Sequence, residues 1–552
     1  MKALIIGGVA GGAGAAARLR RNDESAEIVL LERGKYISFA NCGLPYYLGG
    51  VIEDEAELLL HTPETFHARF GVDVRLRHEA VAVNASARTV TVRDLATDRD
   101  YEERYDKLIL SPGARAVRPP IEGLDADHVF VLRNMEDCQA IWAFMKARKP
   151  RNAVVIGAGF VGLEVAENLH RQGLNLTIIE AAANVLGPLD GDMAAEVHNH
   201  IRSKGVRLLL NTSAARLTET SVVLGGGGEV PADLVLVSAG VAPDTGFLRD
   251  SGIALGKRGE ILVNEQMQTS QEHIYAVGDA VSVTHIVTGQ KQVVALASPA
   301  AKEARVAADA VSGLRSSYKG AQGTAIARVF DMTVALTGLG ETALARTDLP
   351  FMKVLIVTPS HAGYYPGATP LTVKVLFNRA TGLLYGAQII GYEGVDKRLD
   401  VLATALRAKM TVFDLQSLEL AYAPPYSSSK DPVNVVGYVA ANILEKRSRG
   451  VFPEAIEAEK ASVLLLDLRN PDEFAEGNIA GSVNVPLPEL RARMGSLDRS
   501  KPVCVICQAG LRGHVGAEML RHAGFDVRNL MGGYHVYGHM LRDAEARAAT
   551  KT

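Results

Sequence analysis

The stretch Ala153-Val-Val-Ile-Gly-Ala-Gly-Phe-Val-Gly162 decides the architecture. An apolar strand runs into a turn in which Gly157, Gly159 and Gly162 fit GxGxxG, and a helical pattern follows through Gln172. The first glycine permits a tight turn, the second lets backbone N–H groups approach a pyrophosphate, and the third lets helix and strand pack closely. A second strand, Leu176-Thr-Ile-Ile-Glu180, then ends on an acid. Glu180 would accept hydrogen bonds from a ribose 2′-hydroxyl and repel a 2′-phosphate. Ala181 to Ala183 supply no arginine to rescue one, so NADH is expected over NADPH.

The same plan stands at the N-terminus. Ala3-Leu-Ile-Ile-Gly-Gly-Val-Ala-Gly-Gly12 leads into a helix through Arg21 and the strand Ile28-Val-Leu-Leu-Glu32. Gly7, Gly8 and Gly12 are candidate cofactor contacts, with Glu32 on the ribose, although Val9 holds the central glycine position. Two such sites imply two dinucleotides, because hydride passes from a nicotinamide to a flavin only if one protein holds both. A flavoprotein reductase follows. Ser111 and Gly113, at the end of Leu108-Ile-Leu-Ser-Pro-Gly113, are further candidate cofactor contacts.

The 552 residues exceed what one domain needs, at roughly 100–200 residues each. Net charge is -3 with acids and bases interspersed, which gives no electrostatic case for nucleic acid or an anionic membrane. The first residues read as strand and glycine turn rather than a leader, and no long apolar run follows, so a cytoplasmic protein is expected. The four cysteines are Cys42, Cys138, Cys504 and Cys507. Cys138 reads as an inert packing residue, and Cys504 as core in a strand. Cys504-Val-Ile-Cys507 has the spacing of a zinc or a thioredoxin-like pair; zinc would need a second ligand pair, no matching CxxC or HxxxH is expected, and so no metal is expected.

Thr269-Ser-Gln-Glu-His-Ile-Tyr-Ala-Val-Gly-Asp279 resembles the second flavin motif of the two-dinucleotide-domain disulfide reductases, over roughly residues 1 to 445. That resemblance implies FAD, with Asp279 on the ribityl chain. Ser38-Phe-Ala-Asn-Cys42, followed by Gly-Leu-Pro-Tyr-Tyr47, resembles the single-cysteine branch, nearest the coenzyme A disulfide reductases. A lone Cys42 thiolate must form its second sulfur bond with something brought from outside: coenzyme A in that branch, or oxygen as sulfenic acid in the NADH oxidase and peroxidase branch. A Cys42 pKa lowered by a helix end or by the flavin is expected.

By the same resemblance, Arg18 and Arg21 match phosphate-holding positions for coenzyme A, and Ser38, Asn41 and Lys430 match its other contacts. Tyr364 and Tyr422 match catalytic tyrosines that reach the partner's active site in a homodimer. Left to the residues alone, the arginines read equally as a solvated helix face, and the tyrosines as buried packing.

Past the polar run Lys446-Arg-Ser-Arg-Gly450, Cys507-Gln-Ala-Gly-Leu-Arg512 follows a strand and precedes a helix. Backbone N–H groups around such a loop stabilise a thiolate or persulfide, and Arg512 adds positive charge. With Asp467 to Phe474, Gly477 to Ser482 and Met531 to Gly533, the loop resembles that of rhodaneses, which carry sulfane sulfur on cysteine.

The fold expected is α/β, with two dinucleotide-binding (Rossmann-like) domains, an α+β dimerisation domain and a C-terminal α/β rhodanese domain. The FAD-binding part is split over 1–112 and 245–325, and the NAD-binding part spans 113–244. The dimerisation part spans 326–446, a linker 447–455, and the rhodanese part 456–552. The expected activity is NADH-dependent reduction of persulfides, polysulfides or coenzyme A disulfide, on a small-molecule sulfane-sulfur or disulfide substrate. Coenzyme A would be substrate or bound carrier. An NADH oxidase or peroxidase, a sulfurtransferase and a redox-sensing module are the alternatives.

Overall fold

Backbone pairing follows the glycine punctuation. In this computed structural model, which describes residues 1–549, contacts divide the chain into two units. The first comprises Met1–Ile179 with Thr212–Gly323, and the second Glu180–Asn211 with the chain from Thr324 onward.

In the first unit, Lys2–Ile6 is central in an all-parallel sheet. Glu27–Glu32 and Asp73–Leu76 lie on one side of it, and Lys107–Leu110 and Ile274–Ala276 on the other. Apart from the edge strand Asp73–Leu76, these strands are near-continuous apolar runs because both faces of a parallel sheet are covered. The helix Ala10–Asn22 packs on the helix Ala297–Val311. Arg18 Nε donates to Asp309 Oδ1 at 2.7 Å, and Asn22 to the same oxygen at 3.0 Å, which pins the two helices. A second parallel sheet holds Asn175–Ile179, Asn152–Ile156, Leu234–Val237 and Val129–Phe130. Val241–Pro243 pairs antiparallel with Ala114–Ala116 where the chain passes between these two sheets.

In the second unit, five antiparallel strands run in the order Ala325–Val329, Met332–Gly338, Leu384–Gly391, Pro370–Asn378, Phe351–Pro359. After the helix Pro432–Leu444, a parallel sheet is built around Val503–Ile506, with Leu464–Asp467 on one side and Val527–Leu530 on the other. Its last helix, Gly533–Ala549, packs on the helix Gly191–Ser203, which belongs to this unit although it precedes the sheet by more than a hundred residues. No helix among the described residues is long and apolar enough to cross a membrane.

Candidate active site

The first glycine turn is closed by backbone. Gly7 has φ +95°, and a Cβ there would lie 2.0 Å from the Ser111 carbonyl oxygen; one on Gly12 would lie 1.8 Å from the Gly7 oxygen. Val9 takes the central place at φ -100°, which any residue adopts, so the departure from GxGxxG strains nothing. Glu32 closes on the turn, accepting from Gly8 N–H at 2.7 Å and from Gly34 N–H at 2.8 Å. Burial pushes its carboxyl up, and those two donors oppose the rise. Gly113, at φ +68°, has open space where a Cβ would stand.

The second turn repeats the construction with one opening. A Cβ on Gly157 would lie 2.3 Å from the Ser238 oxygen, and one on Gly162 2.1 Å from the Gly157 oxygen. At Gly159, nothing lies within 4 Å. The outer glycines are thus demanded by the backbone. The middle one faces space at the N-terminus of Phe160–Arg171, as close approach of a pyrophosphate requires. Both donor sets fit dinucleotides. In the second unit, Glu180 Oε1 accepts from Ala182 N–H at 2.7 Å.

Cys42 lies in the single turn Asn41–Gly43, ahead of the short helix Leu44–Leu48, and is exposed. The approach to it is strained: Ser38 stands at φ +47°, a left-handed conformation unusual outside glycine. Two backbone bonds hold it there, Ser38 N–H to Gly8 O at 2.8 Å and Leu60 N–H to Ser38 O at 3.1 Å. The cysteine segment is therefore tied directly to the first glycine turn. Beneath the short helix, Cys138 is fully buried with its Sγ 3.7 Å from Leu44 O, and burial pushes its thiol up to about 12. It stays protonated and supports the helix. Gly49 crosses the Asn168 side chain so closely that a Cβ would lie 1.9 Å from Oδ1, and Asn168 Nδ2 donates to Glu164 O at 2.7 Å.

The electrostatics correct one expectation. Partial enclosure pushes the Cys42 thiol up, and the negative charges of Glu164 and Asp279 push it further. Burial and the neighbouring Glu167 raise Glu164 itself to about 7. The protein's own groups therefore favour the thiol, and a lowered pKa is not built into this part of the chain.

Asp279 follows the left-handed Gly278 (φ +86°) and lines a cavity of about 180 Å³ with Ala114, Val241, Pro243, Val293 and Ala295. Arg133 Nη2 lies 3.6 Å from its carboxylate. Glu303 accepts from Gly278 N–H at 2.8 Å, and burial raises it to about 7. Arg258 also lines this cavity, and Asp279 offers it a carboxylate that could accept hydrogen bonds from a flavin's polyol chain. Of the basic candidates, Arg18 is engaged by Asp309, while Arg21 is exposed.

In the second unit, Tyr364 and Tyr422 are 77% and 47% exposed, and their hydroxyls meet at 3.0 Å. The pair is therefore not packing inside this chain's core. Their loops are held by the buried Arg398, which donates to Ser360 O at 2.8 Å, to Tyr426 O at 3.2 Å and to Asp431. Lys430 is exposed, next to Asp431, which caps Pro432–Leu444.

Cys507 ends the strand Val503–Ile506 and is buried. Gly510, at φ +110°, turns its N–H onto the sulfur at 3.0 Å. The loop is clamped from behind: Tyr534 N–H donates to Cys507 O at 2.8 Å and His535 N–H to Gln508 O at 3.0 Å. Gly533 allows that approach, since a Cβ there would lie 2.4 Å from Cys507 O. Arg512 is held by Glu473 through two bonds of 2.6 Å, so its charge beside Cys507 is matched by an acid. Cys504 lies in the core with its thiol pushed up by burial to about 12.

Sequence reasoning missed Glu164, Arg398 and Glu473. Glu164 left a signal as the acid two residues beyond the last glycine of GxGxxG, and Glu473 as part of the Asp467 to Phe474 motif; Arg398 left none.

The pyridine nucleotide-disulphide oxidoreductase family matches residues 1–304, its dimerisation domain residues 324–432, and the rhodanese-like domain residues 452–539. A coenzyme A disulfide reductase of Staphylococcus haemolyticus is 37% identical over 443 residues, covering 80% of this chain and 100% of that protein. The structure of reduced Bacillus anthracis CoADR-RHD is 46% identical, covers 98% of each chain and superposes with a TM-score of 0.96. That of a NAD-dependent persulfide reductase from A. fulgidus is 36% identical, with a TM-score of 0.93 over 97% of this chain and 100% of that one. The chain therefore belongs to the pyridine nucleotide-disulphide oxidoreductase family, with that family's dimerisation domain and a rhodanese-like domain in one polypeptide.

Proposed function

We propose that this chain is an NADH-dependent flavoprotein that reduces coenzyme A disulfide and sulfane sulfur, with Cys42 as its redox thiol and Cys507 as a sulfur carrier. One observation carries the reading. Cys42 is exposed beside the first glycine turn, and Cys138, the other cysteine of its unit, is buried and faces Leu44 O, so it is no second redox thiol. Its sulfur partner has to come from the substrate.

FAD would be held by Gly7, Gly8, Gly12, Glu32, Ser111, Gly113 and Asp279, and NADH by Gly157, Gly159, Gly162 and Glu180. When bound, FAD passes the electron pair of NADH to the sulfur site. The work of the chain is to hold Cys42 exposed beside the first glycine turn, where its thiolate meets the substrate. It attacks one sulfur of R–S–S–R, the S–S bond breaks, and one thiolate leaves as the Cys42–S–S–R bond forms. Two electrons then break that second bond, returning Cys42 and releasing the other thiol. The balance is R–S–S–R + NADH + H⁺ → 2 R–SH + NAD⁺, and for a persulfide R–S–SH + NADH + H⁺ → R–SH + H₂S + NAD⁺.

Tyr364 and Tyr422, whose hydroxyls share a hydrogen bond at an exposed surface, supply a proton to the departing sulfur across a homodimer. Arg18, Arg21, Ser38, Asn41 and Lys430 hold coenzyme A, and Cys507 brings persulfide sulfur to it. The setting is the cytoplasm.

Anaerobic NADH oxidation with coenzyme A disulfide, and separately with coenzyme A persulfide, tests this. Both are expected to be consumed with one NADH each. Rapid oxygen or peroxide turnover with neither sulfur compound consumed would overturn it in favour of sulfenic acid chemistry.

A further inference from the structure

The Cys504–Cys507 pair is a poor metal site, because Cys504 is core and its thiol is pushed to about 12. The expectation that no HxxxH pair occurs is wrong: His535 and His539 form one. One helical turn apart, the two rings share a face of Gly533–Ala549, with centroids 4.9 Å apart. That face packs on Gly191–Ser203, which contributes Glu196.

We propose that Glu196, His535 and His539 form a site for a divalent transition-metal ion of the zinc type, joining these two helices. One ligand atom from each residue lies within 4.8 Å of the others. Glu196 Oε1 and His535 Nε2 are 3.4 Å apart, close to the separation of about 3.3 Å between ligand atoms in a tetrahedral zinc shell. His535 Nε2 is buried and lacks a hydrogen-bond partner. The polar atom that faces this nitrogen is Glu196 Oε1, and a cation between the two would be bound by both.

The surrounding shell is also built. Thr372 Oγ1 donates to Glu196 Oε2 at 2.8 Å, which turns the other oxygen toward His535. Asn199 Nδ2 donates to His539 O at 2.8 Å, which ties the two helices together beside the site. By contrast, the acidic group Asp190, Asp192 and Glu341 already encloses a cation: Lys374 Nζ lies 3.0 Å from Asp190 and 2.7 Å from Asp192. His535 also donates its backbone N–H to Gln508 O beside Cys507, so an ion here would stiffen the sulfur loop.

The test uses the full-length, FAD-loaded enzyme with its reactive thiols alkylated. The protein is stripped with a chelator, reloaded with Zn²⁺ and freed of excess metal. One zinc per chain and a raised unfolding temperature are expected. His535→Gln and His539→Gln should each lose both effects while melting like the stripped parent without zinc. Co²⁺ in the alkylated parent should give a tetrahedral visible spectrum without a thiolate charge-transfer band, a readout that needs no variant to fold. Absence of retained zinc in the parent, equal retention in both variants, or a thiolate band would each overturn the site.

Discussion

Cys42 is exposed, follows a strained serine and faces the carboxyls of Glu164 and Asp279, whereas Cys507 is buried and has the Gly510 N–H aimed at its sulfur. The first setting raises the thiol; the second offers an anion a donor in place of water. Activation of Cys42 therefore rests on what binds beside it, while the Cys507 loop carries its own stabilising dipole. This division suits a thiol that should react only when electrons are at hand, next to a carrier that must hold persulfide between encounters.

The sharpest way to break the comparison is to remove each sulfur in turn. Cys42→Ser is expected to lower NADH-driven reduction of coenzyme A disulfide on the order of 10³-fold or more. Transfer of sulfur from thiosulfate to cyanide should remain at the parental rate. Cys507→Ser should do the reverse, abolishing sulfur transfer and leaving coenzyme A disulfide reduction within about twofold. Steady-state assays of both reactions on both variants decide it; loss of both activities in either variant would mean that the two sites are not separable.

Tyr364→Phe tests the hydrogen-bonded hydroxyls. If they supply a proton, kcat with coenzyme A disulfide falls about 10²-fold. Tyr364 is 77% exposed, so the melting temperature should not move. A smaller effect is expected at Glu164. Replacing it with Gln removes a negative charge that pushes Cys42 up, so the pH midpoint for alkylation of Cys42 shifts down and labelling at neutral pH speeds up. An unchanged midpoint would mean that Glu164 does not face the thiol.

The glycine turns were legible because their geometry leaves no choice. Gly7, Gly12, Gly157 and Gly162 each lie so near a carbonyl that no Cβ fits. Val9 was read as a departure, and its ordinary φ explains why the turn tolerates it. The lone Cys42 and the Cys507 loop were legible through contiguous motifs. What stayed hidden depends on segments brought together by folding. Glu164 matters through the packing of its helix on Leu44–Leu48. Arg398 matters because it ties two loops of tyrosines together. His535 and His539 gain meaning only opposite Glu196 on a helix far away in sequence. The upward push on Cys42 stayed hidden for the same reason, since it comes from enclosure by folding and then from two acids in distant parts of the chain.

The smallest effect expected is at the Cys507 side of the comparison, and it isolates the role of Arg512. Its guanidinium is held by Glu473 through two short bonds, so the positive charge near Cys507 is balanced. Glu473 also closes the capping box with Asn470 at the start of Pro471–Ala475. Glu473→Gln keeps the capping geometry, because glutamine serves that position as glutamate does, and removes only the charge. Arg512 then acts on Cys507 unopposed. Alkylation of Cys507 at neutral pH should rise about threefold with melting almost unchanged, since a pair this exposed contributes roughly 0–1 kcal/mol. A rate equal to the parent's would mean that the Gly510 N–H, and not the arginine, sets the reactivity of this sulfur.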